Sequence, residues 1–138
     1  ADQIGQDKLN TAMNVYNSGK VQEAIAMMRK VVEEHPKFVN AHYTLAIYLR
    51  NNHDQQGSER HNLKALELQP NFPAAYINLG VTYQNMNRRT EAKESYLNAL
   101  KLRPNFFEGH NSLAILETDA GNVLEAKAHY RRALQARK

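Results

Sequence analysis

The chain contains no cysteine and no tryptophan, and only four prolines and six glycines among its 138 residues. Without cysteine it can build no disulfide framework, no thiolate metal site and no thiol nucleophile. That absence suits the cytosol and the periplasm equally, so the compartment stays unknown: cytoplasmic by default, with periplasmic or organellar locations open. Scarce proline and glycine exclude collagen-like and low-complexity chains, and 42% hydrophobic with 23% charged residues is a globular composition. No apolar run nears the roughly 20 residues that span a bilayer, so no membrane insertion is expected. The N-terminal stretch "ADQIGQDKLN" lacks the charged-then-apolar layout of a secretory signal, although a cleaved one would leave no trace.

What the chain does have is a repeat. "HPKFVNAH" from His35, "QPNFPAAY" from Gln69 and "RPNFFEGH" from Arg103 align without gaps, each 34 residues after the last, with Pro36, Pro70 and Pro104 in register. Ala24, Ala92 and Ala126 share a column, each preceded by glutamate; Leu45, Leu79 and Leu113 share another, with Thr11 in the first copy. Four copies result, at about 5–38, 39–72, 73–106 and 107–138, read together as a single domain. Each copy reads as two helices. The first starts near Val39, Pro73 or Phe107 and ends at turn residues such as Ser18-Gly19, Asn51-Asn52 or Gly121-Asn122. The second runs until the proline stops it.

One position conflicts with helix propensity. Gly80 lies inside "YINLGVTYQ", where glycine costs about 1 kcal/mol relative to alanine. Its column holds Ala12, Ala46 and Ala114 elsewhere, all small, which implies that the second helix of the pair approaches closely there. Leu79, Gly80, Tyr83, Glu91, Ala92, Tyr96, Ala99 and Pro104 complete a pattern that resembles the tetratricopeptide repeat over nearly the whole chain. The resemblance implies an all-α fold: four antiparallel helix pairs, about eight helices, stacked as a right-handed superhelical solenoid. The second copy departs most, with Gly57-Ser58 in place of Glu-Ala and with Asn62 in the column of Met28, Tyr96 and Tyr130. A looser, shorter second helix is expected there.

In this family the first helices line a concave groove. Carried over, the candidate peptide-binding residues are Leu9, Asn10, Met13, Tyr43, Thr44, Ile47, Arg50, Ile77, Asn78, Val81, Asn111 and Ser112. They form an apolar stripe beside amides and hydroxyls; Leu9, Met13, Tyr43 and Ile77 are expected to be the more exposed apolar members. Asparagine offers a donor and an acceptor to a peptide unit. Asn10 and Asn78 share one column with Thr44 and Ser112, and the third copy's "PNFPAAYINLG" resembles repeats of O-linked N-acetylglucosamine transferases, where such asparagines hold peptide backbone. The alternative is that these amides bond within or between helices. Another subclass grips C-terminal carboxylates with lysine and arginine, but here Leu9, Ala74 and Asn78, or Tyr43, Glu108 and Ser112, stand in those places. A carboxylate clamp is not expected.

Remaining chemistry is thin. His42 and His110 share a column two repeats apart, too distant to share one metal ion, and both read as packed side chains. No histidine has a partner four residues away, and no carboxylate pair suggests acid–base catalysis, so no catalytic residue, metal or cofactor is expected. The net charge of +4 resides mostly on second helices, interspersed with glutamates and without interleaved aromatics, so nucleic-acid binding is not expected. Phe38, Phe72, Phe106, Tyr96 and Tyr130 repeat by column and read as core. The sequence therefore points to a non-enzymatic protein–protein interaction module that binds an extended peptide or helix of a partner protein. The alternatives are a homo-oligomeric scaffold assembled through the terminal repeats and the substrate-recruiting arm of a larger enzyme.

Overall fold

The first helices begin where the sequence places them. The structure, a computed structural model, describes residues 3–137. Its elements are α1 (Gln3–Asn17), α2 (Val21–Glu34), α3 (Val39–Asn51), α4 (Gln55–Leu68), α5 (Pro73–Asn85), α6 (Arg89–Leu102), α7 (Phe107–Asp119) and α8 (Val123–Arg137), with no strand among the described residues. The chain divides into two units, one ending at Pro70 and the other beginning at Asn71. Unit 1 pairs α1 with α2 and α3 with α4; unit 2 pairs α5 with α6 and α7 with α8. α3, α5 and α7 are 13 residues each, and Pro73 occupies the first turn of α5, where its missing N–H costs nothing.

Each hairpin is closed by the same device. The second residue after the first helix adopts a left-handed conformation: Gly19 (φ 93°), His53 (φ 68°), Asn87 (φ 61°) and Gly121 (φ 84°). These four stand 34 residues apart. The next residue's N–H then reaches back five positions, from Asp54 to the Leu49 carbonyl at 2.8 Å, from Arg88 to Tyr83 at 2.8 Å and from Asn122 to Glu117 at 2.8 Å. Such a motif satisfies helix carbonyls that would otherwise be orphaned.

The second copy keeps a full second helix, contrary to the expectation from its polar sequence. α4 has 14 residues, as do α2 and α6. Asp54 caps it, its Oδ1 accepting the Gly57 N–H at 3.0 Å, whereas α2 and α6 have no side-chain cap. Gly57 is required by crowding: a Cβ there would lie 2.5 Å from Asp54 Oδ2 and 3.0 Å from Leu49 Cδ1. Ser58 and Asn62 are fully buried, with Asn62 Nδ2 donating to Ser58 Oγ at 3.4 Å. Small residues and an internal hydrogen bond replace the Glu-Ala and the large Met28, Tyr96 or Tyr130 of the other copies.

Gly80 is explained by its neighbour across the hairpin. A Cβ at this position would overlap the ring of Tyr96, which is 1% exposed. In the last copy Ala114 carries that Cβ, and Tyr130, the counterpart of Tyr96, remains 40% exposed. Tyr130 is therefore not core as its column suggests, because the space that receives Tyr96 is filled by a methyl group.

Two stability outcomes follow. Gly80→Ala should lower unit 2 stability by about 1–2 kcal/mol in urea unfolding despite alanine's better propensity, because overpacking against Tyr96 outweighs the gain; an increase would mean that the ring yields. His53→Gly should raise stability by about 0.5–1 kcal/mol, since it relieves a left-handed non-glycine residue; a decrease would show that the His53 side chain contributes more than its backbone costs.

Candidate functional site

The first helices of each unit lie side by side and are tied at their C-terminal ends by equivalent hydrogen bonds. In unit 1, Asn51 Nδ2 on α3 donates to Tyr16 Oη on α1 at 3.1 Å. In unit 2, Gln84 Nε2 on α5 donates to Asp119 Oδ2 on α7 at 3.4 Å. Both links join residues 35 apart, so the repeat reproduces the tie as well as the helices. Tyr96 Oη supports the second link by donating to Gln84 Oε1 at 2.9 Å.

On the unit 1 face, Asn10 and Met13 stand exposed one helical turn apart, with Gln6 Nε2 donating to Asn10 Oδ1 at 3.0 Å. Tyr43, Thr44, Ile47 and Arg50 are half-buried on α3. Burial raises the Tyr43 phenol above its ordinary pKa, and the nearby Arg50 opposes that shift, so Tyr43 presents a neutral hydroxyl at neutral pH. Leu9 does not join this face: at 3% exposure it belongs to the core around Ile25, Met28 and Leu45. The expectation of an exposed Leu9 is corrected by its neighbours on α2, which cover it. Tyr16 stacks on Tyr48 with ring centroids 3.8 Å apart and planes within 2°, a rigid aromatic wall that column analysis does not single out at Tyr48.

On the unit 2 face, Ile77, Val81, Asn111 and Ser112 are half-buried, and Asn78 is only 5% exposed. Thr82 Oγ1 donates to the Asn78 carbonyl at 2.9 Å, so this turn of α5 is held internally. The asparagine–hydroxyl column is thus graded, from open Asn10 through half-buried Thr44 and Ser112 to buried Asn78. The apolar column is more uniform: Met13 is 40% and Ile115 43% exposed, with Ile47 and Val81 half-buried between them in sequence.

Histidine pairing went unrecognised in the sequence. His42 Nδ1 lies 3.1 Å from His61 Nδ1, and His42 Nε2 lies 2.8 Å from the Pro36 carbonyl. Because a carbonyl only accepts, His42 donates from Nε2 and accepts at Nδ1 from His61. Unit 2 repeats the carbonyl contact and the stacking but not the Nδ1–Nδ1 bond: His110 Nε2 meets the Pro104 carbonyl at 2.8 Å, and its ring stacks at 6.1 Å from His129. The available signal was a 19-residue His-to-His spacing that recurs 68 residues later. Among the described residues no group of three or more His, Asp or Glu is placed to hold a metal ion.

An array of helix hairpins closed by one recurring turn defines an all-α repeat protein. Two family models described as tetratricopeptide repeat match residues 9–73 and 73–106, and the chain belongs to that family. Among solved structures it is similar to "Crystal structure of MamA", with a TM-score of 0.87 and 22% identity, covering 97% of this chain and 78% of that one. It is also similar to "MamA 41-end from Desulfovibrio magneticus RS-1", with a TM-score of 0.87 and 18% identity over 96% of this chain and 75% of that one. The fold is accordingly the all-α tetratricopeptide solenoid. No curated protein matches the chain in sequence. Tetratricopeptide proteins bind protein partners and are typically non-enzymatic scaffolds. No described helix is long and apolar enough to cross a membrane.

The histidine pairs make stability pH-dependent. Burial, then the neighbouring His42, Arg60 and Arg29, push the His61 pKa down to about 4, with Asp54 opposing; burial and Lys64 lower that of His42. The unfolded chain therefore binds more protons than the folded one between about pH 6.5 and 4. Stability is complete above pH 6.5 and declines as pH falls through that window. Unfolding midpoints measured from pH 7.5 to 4.5 should fall, and His61→Gln should flatten the profile; an equally steep profile in the variant would assign the effect elsewhere.

Proposed function

We propose that the chain is a binding module whose first-helix faces hold an extended peptide or a helix of a partner protein. The reading is supported by the apolar column Met13, Ile47, Val81 and Ile115, which stays partly open in every copy while the neighbouring columns bury their leucines and alanines. Apolar side chains left open in a repeated row supply anchoring area, and few charges interrupt them. Asn10, Thr44, Asn111 and Ser112 flank that row with donors and acceptors for a peptide backbone. Tyr43 and Ile47 are the unit 1 anchors, and Ile77 with Val81 those of unit 2. Arg50 brings a cation to the edge of the unit 1 face, where its Nη2 donates to Asn51 Oδ1 at 3.3 Å. Asn78, buried as it is, acts in this reading through the position of α5 more than by direct contact.

The test is a comparison of the wild-type chain with Met13→Glu/Ile47→Glu and with Ile115→Glu. Proteins captured from a lysate of the source are identified by mass spectrometry, then titrated in purified form. All three substitutions place the new charge on open or half-open positions, so helicity by circular dichroism should persist. A groove ligand should bind the double variant at least about tenfold more weakly, the loss typical of an anchor position. Unchanged affinity in both variants would place binding on another surface.

A further inference from the structure

The two histidine pairs differ at one nitrogen. In unit 1, His42 Nε2 donates to the Pro36 carbonyl at 2.8 Å, so its Nδ1 accepts, and His61 Nδ1 supplies the proton at 3.1 Å. In unit 2, His110 Nε2 donates to the Pro104 carbonyl at 2.8 Å, which leaves its Nδ1 the same acceptor role. His129 does not answer it. The rings stand 6.1 Å apart rather than 5.4 Å, and the Nδ1 atoms of His110 and His129 are both buried with no hydrogen-bond partner. His110 is only 8% exposed, so a fixed, desolvated lone pair calls for a donor that the fold does not supply.

That histidine lines a pocket of about 550 Å³, whose other walls are Pro104 and Asn105 before α7 and Arg132, Gln135 and Ala136 on α8. The size falls within the range of about 300–1,000 Å³ of small-molecule sites. The α6 residues in the columns of Arg132, Gln135 and Ala136 are Asn98, half-buried, with Lys101 and Leu102, both exposed, although α7 packs on α6. The following hairpin packs instead on the columns of Lys93 and Leu100, so this pocket opens on a different side of α8. In unit 1 the same columns hold Lys64 and Glu67, paired with each other at 3.6 Å. In unit 2 Gln135 replaces that carboxylate, and the lining has one guanidinium, two amides and no acid. A metal ion suits this set poorly. Burial, then the charges of Arg132 and His110, lower the His129 pKa, with Lys93 adding to them and Glu117 opposing, so the surroundings are cationic. Glu117 is itself held by Lys93 at 3.4 Å and by Asn122 at 2.8 Å.

We propose that this pocket binds a phosphate group that keeps one proton, either free or as a small phosphate monoester. Its P–OH donates to His110 Nδ1, Arg132 meets the negative oxygens, and Asn105 and Gln135 offer amide N–H groups to the rest. The remaining volume accommodates the alcohol part of a monoester. The acceptor makes the site selective. With a second pKa of about 6, a phosphate monoester keeps its proton in about a tenth of molecules at neutral pH, and a fixed lone pair draws on that form. Sulfate brings no proton, so its oxygen would face the Nδ1 lone pair and leave it unpaired.

The test is isothermal titration calorimetry of the full chain at neutral pH and constant ionic strength, with sodium phosphate, glycerol phosphate and sodium sulfate as probes. Saturable binding of a phosphate species is expected, with sulfate weaker by about tenfold or more, the loss that an unpaired buried acceptor brings. Tighter binding of glycerol phosphate assigns the site to a monoester, and the reverse order assigns it to the free anion. Arg132→Gln, at an exposed position, should weaken phosphate by about fivefold or more while the unfolding midpoint stays at the wild-type value. NMR of the histidine ring nitrogens gives a reading without substitution. His110 Nδ1 should shift on adding phosphate and not on adding sulfate, while His42 Nδ1, already paired with His61, should stay in place. Absence of saturable phosphate binding, equal affinity for sulfate, or affinity unchanged in Arg132→Gln would overturn the proposal. So would a His110 Nδ1 that already accepts a proton from His129 before phosphate is added, since the fold would then supply the donor itself.

Discussion

A helix hairpin of this kind cannot cover its own apolar surface. Tyr96 of α6 turns into its hairpin, under Gly80, but Leu100 of the same helix packs against Gly109 of the next hairpin. One helix thus serves two interfaces, and each fixes a small residue in a first helix: Gly80 for the partner within the hairpin, Gly109 for the neighbour beyond it. The 34-residue period is the sequence record of that double requirement: the Gly80 column is small in all four copies, and the Gly109 column holds Ala41 and Ala75 in the second and third. The left-handed residue after each first helix belongs to the same constraint. It sets the reversal that brings the two small columns opposite their large partners, which is why His53 and Asn87 keep a conformation that glycine would adopt at lower cost.

The period, the first-helix boundaries and the meaning of Gly80 were legible because each rests on local chemistry repeated in register. Depth of burial was less so. Leu9 and Met13 lie one turn apart on α1 and look alike in a column analysis, yet Leu9 sinks to 3% exposure beneath α2 while Met13 stays 40% exposed. Periodicity gives the face a side chain points to, and the partner helix decides how far along that face the core reaches. Tyr130 fails for a related reason: its column says core, but Ala114 fills the place that Gly80 leaves for Tyr96. The full length of α4 is not legible in its polar composition, because Asp54 caps that helix and Asn62 donates to Ser58 inside it. The His42–His61 contact was hidden because its members sit on different helices, and a search for partners within one helical turn cannot find them.

The histidine pairs lie between the two helices of their own hairpins, and the first-helix faces are left nearly free of titrating charge. Each histidine pair leans on a backbone carbonyl at the end of the preceding second helix, at Pro36 and at Pro104. Acid therefore acts first on the packing of second helices against first ones, and on any ligand only through that packing. The half-open column of Met13, Ile47, Val81 and Ile115 has nothing to titrate. Whatever it holds is held by area and by backbone pairing.

The two proposed sites differ in the physics available to them. On the first helices, apolar area with amides and hydroxyls gives attraction that dissolved salt barely screens, and selectivity that depends on shape and on the spacing of anchors. In the pocket between α7 and α8, Arg132 draws an anion through a field that falls off within about 10 Å at 0.1 M salt, and the fixed lone pair of His110 Nδ1 then decides which oxyanion stays.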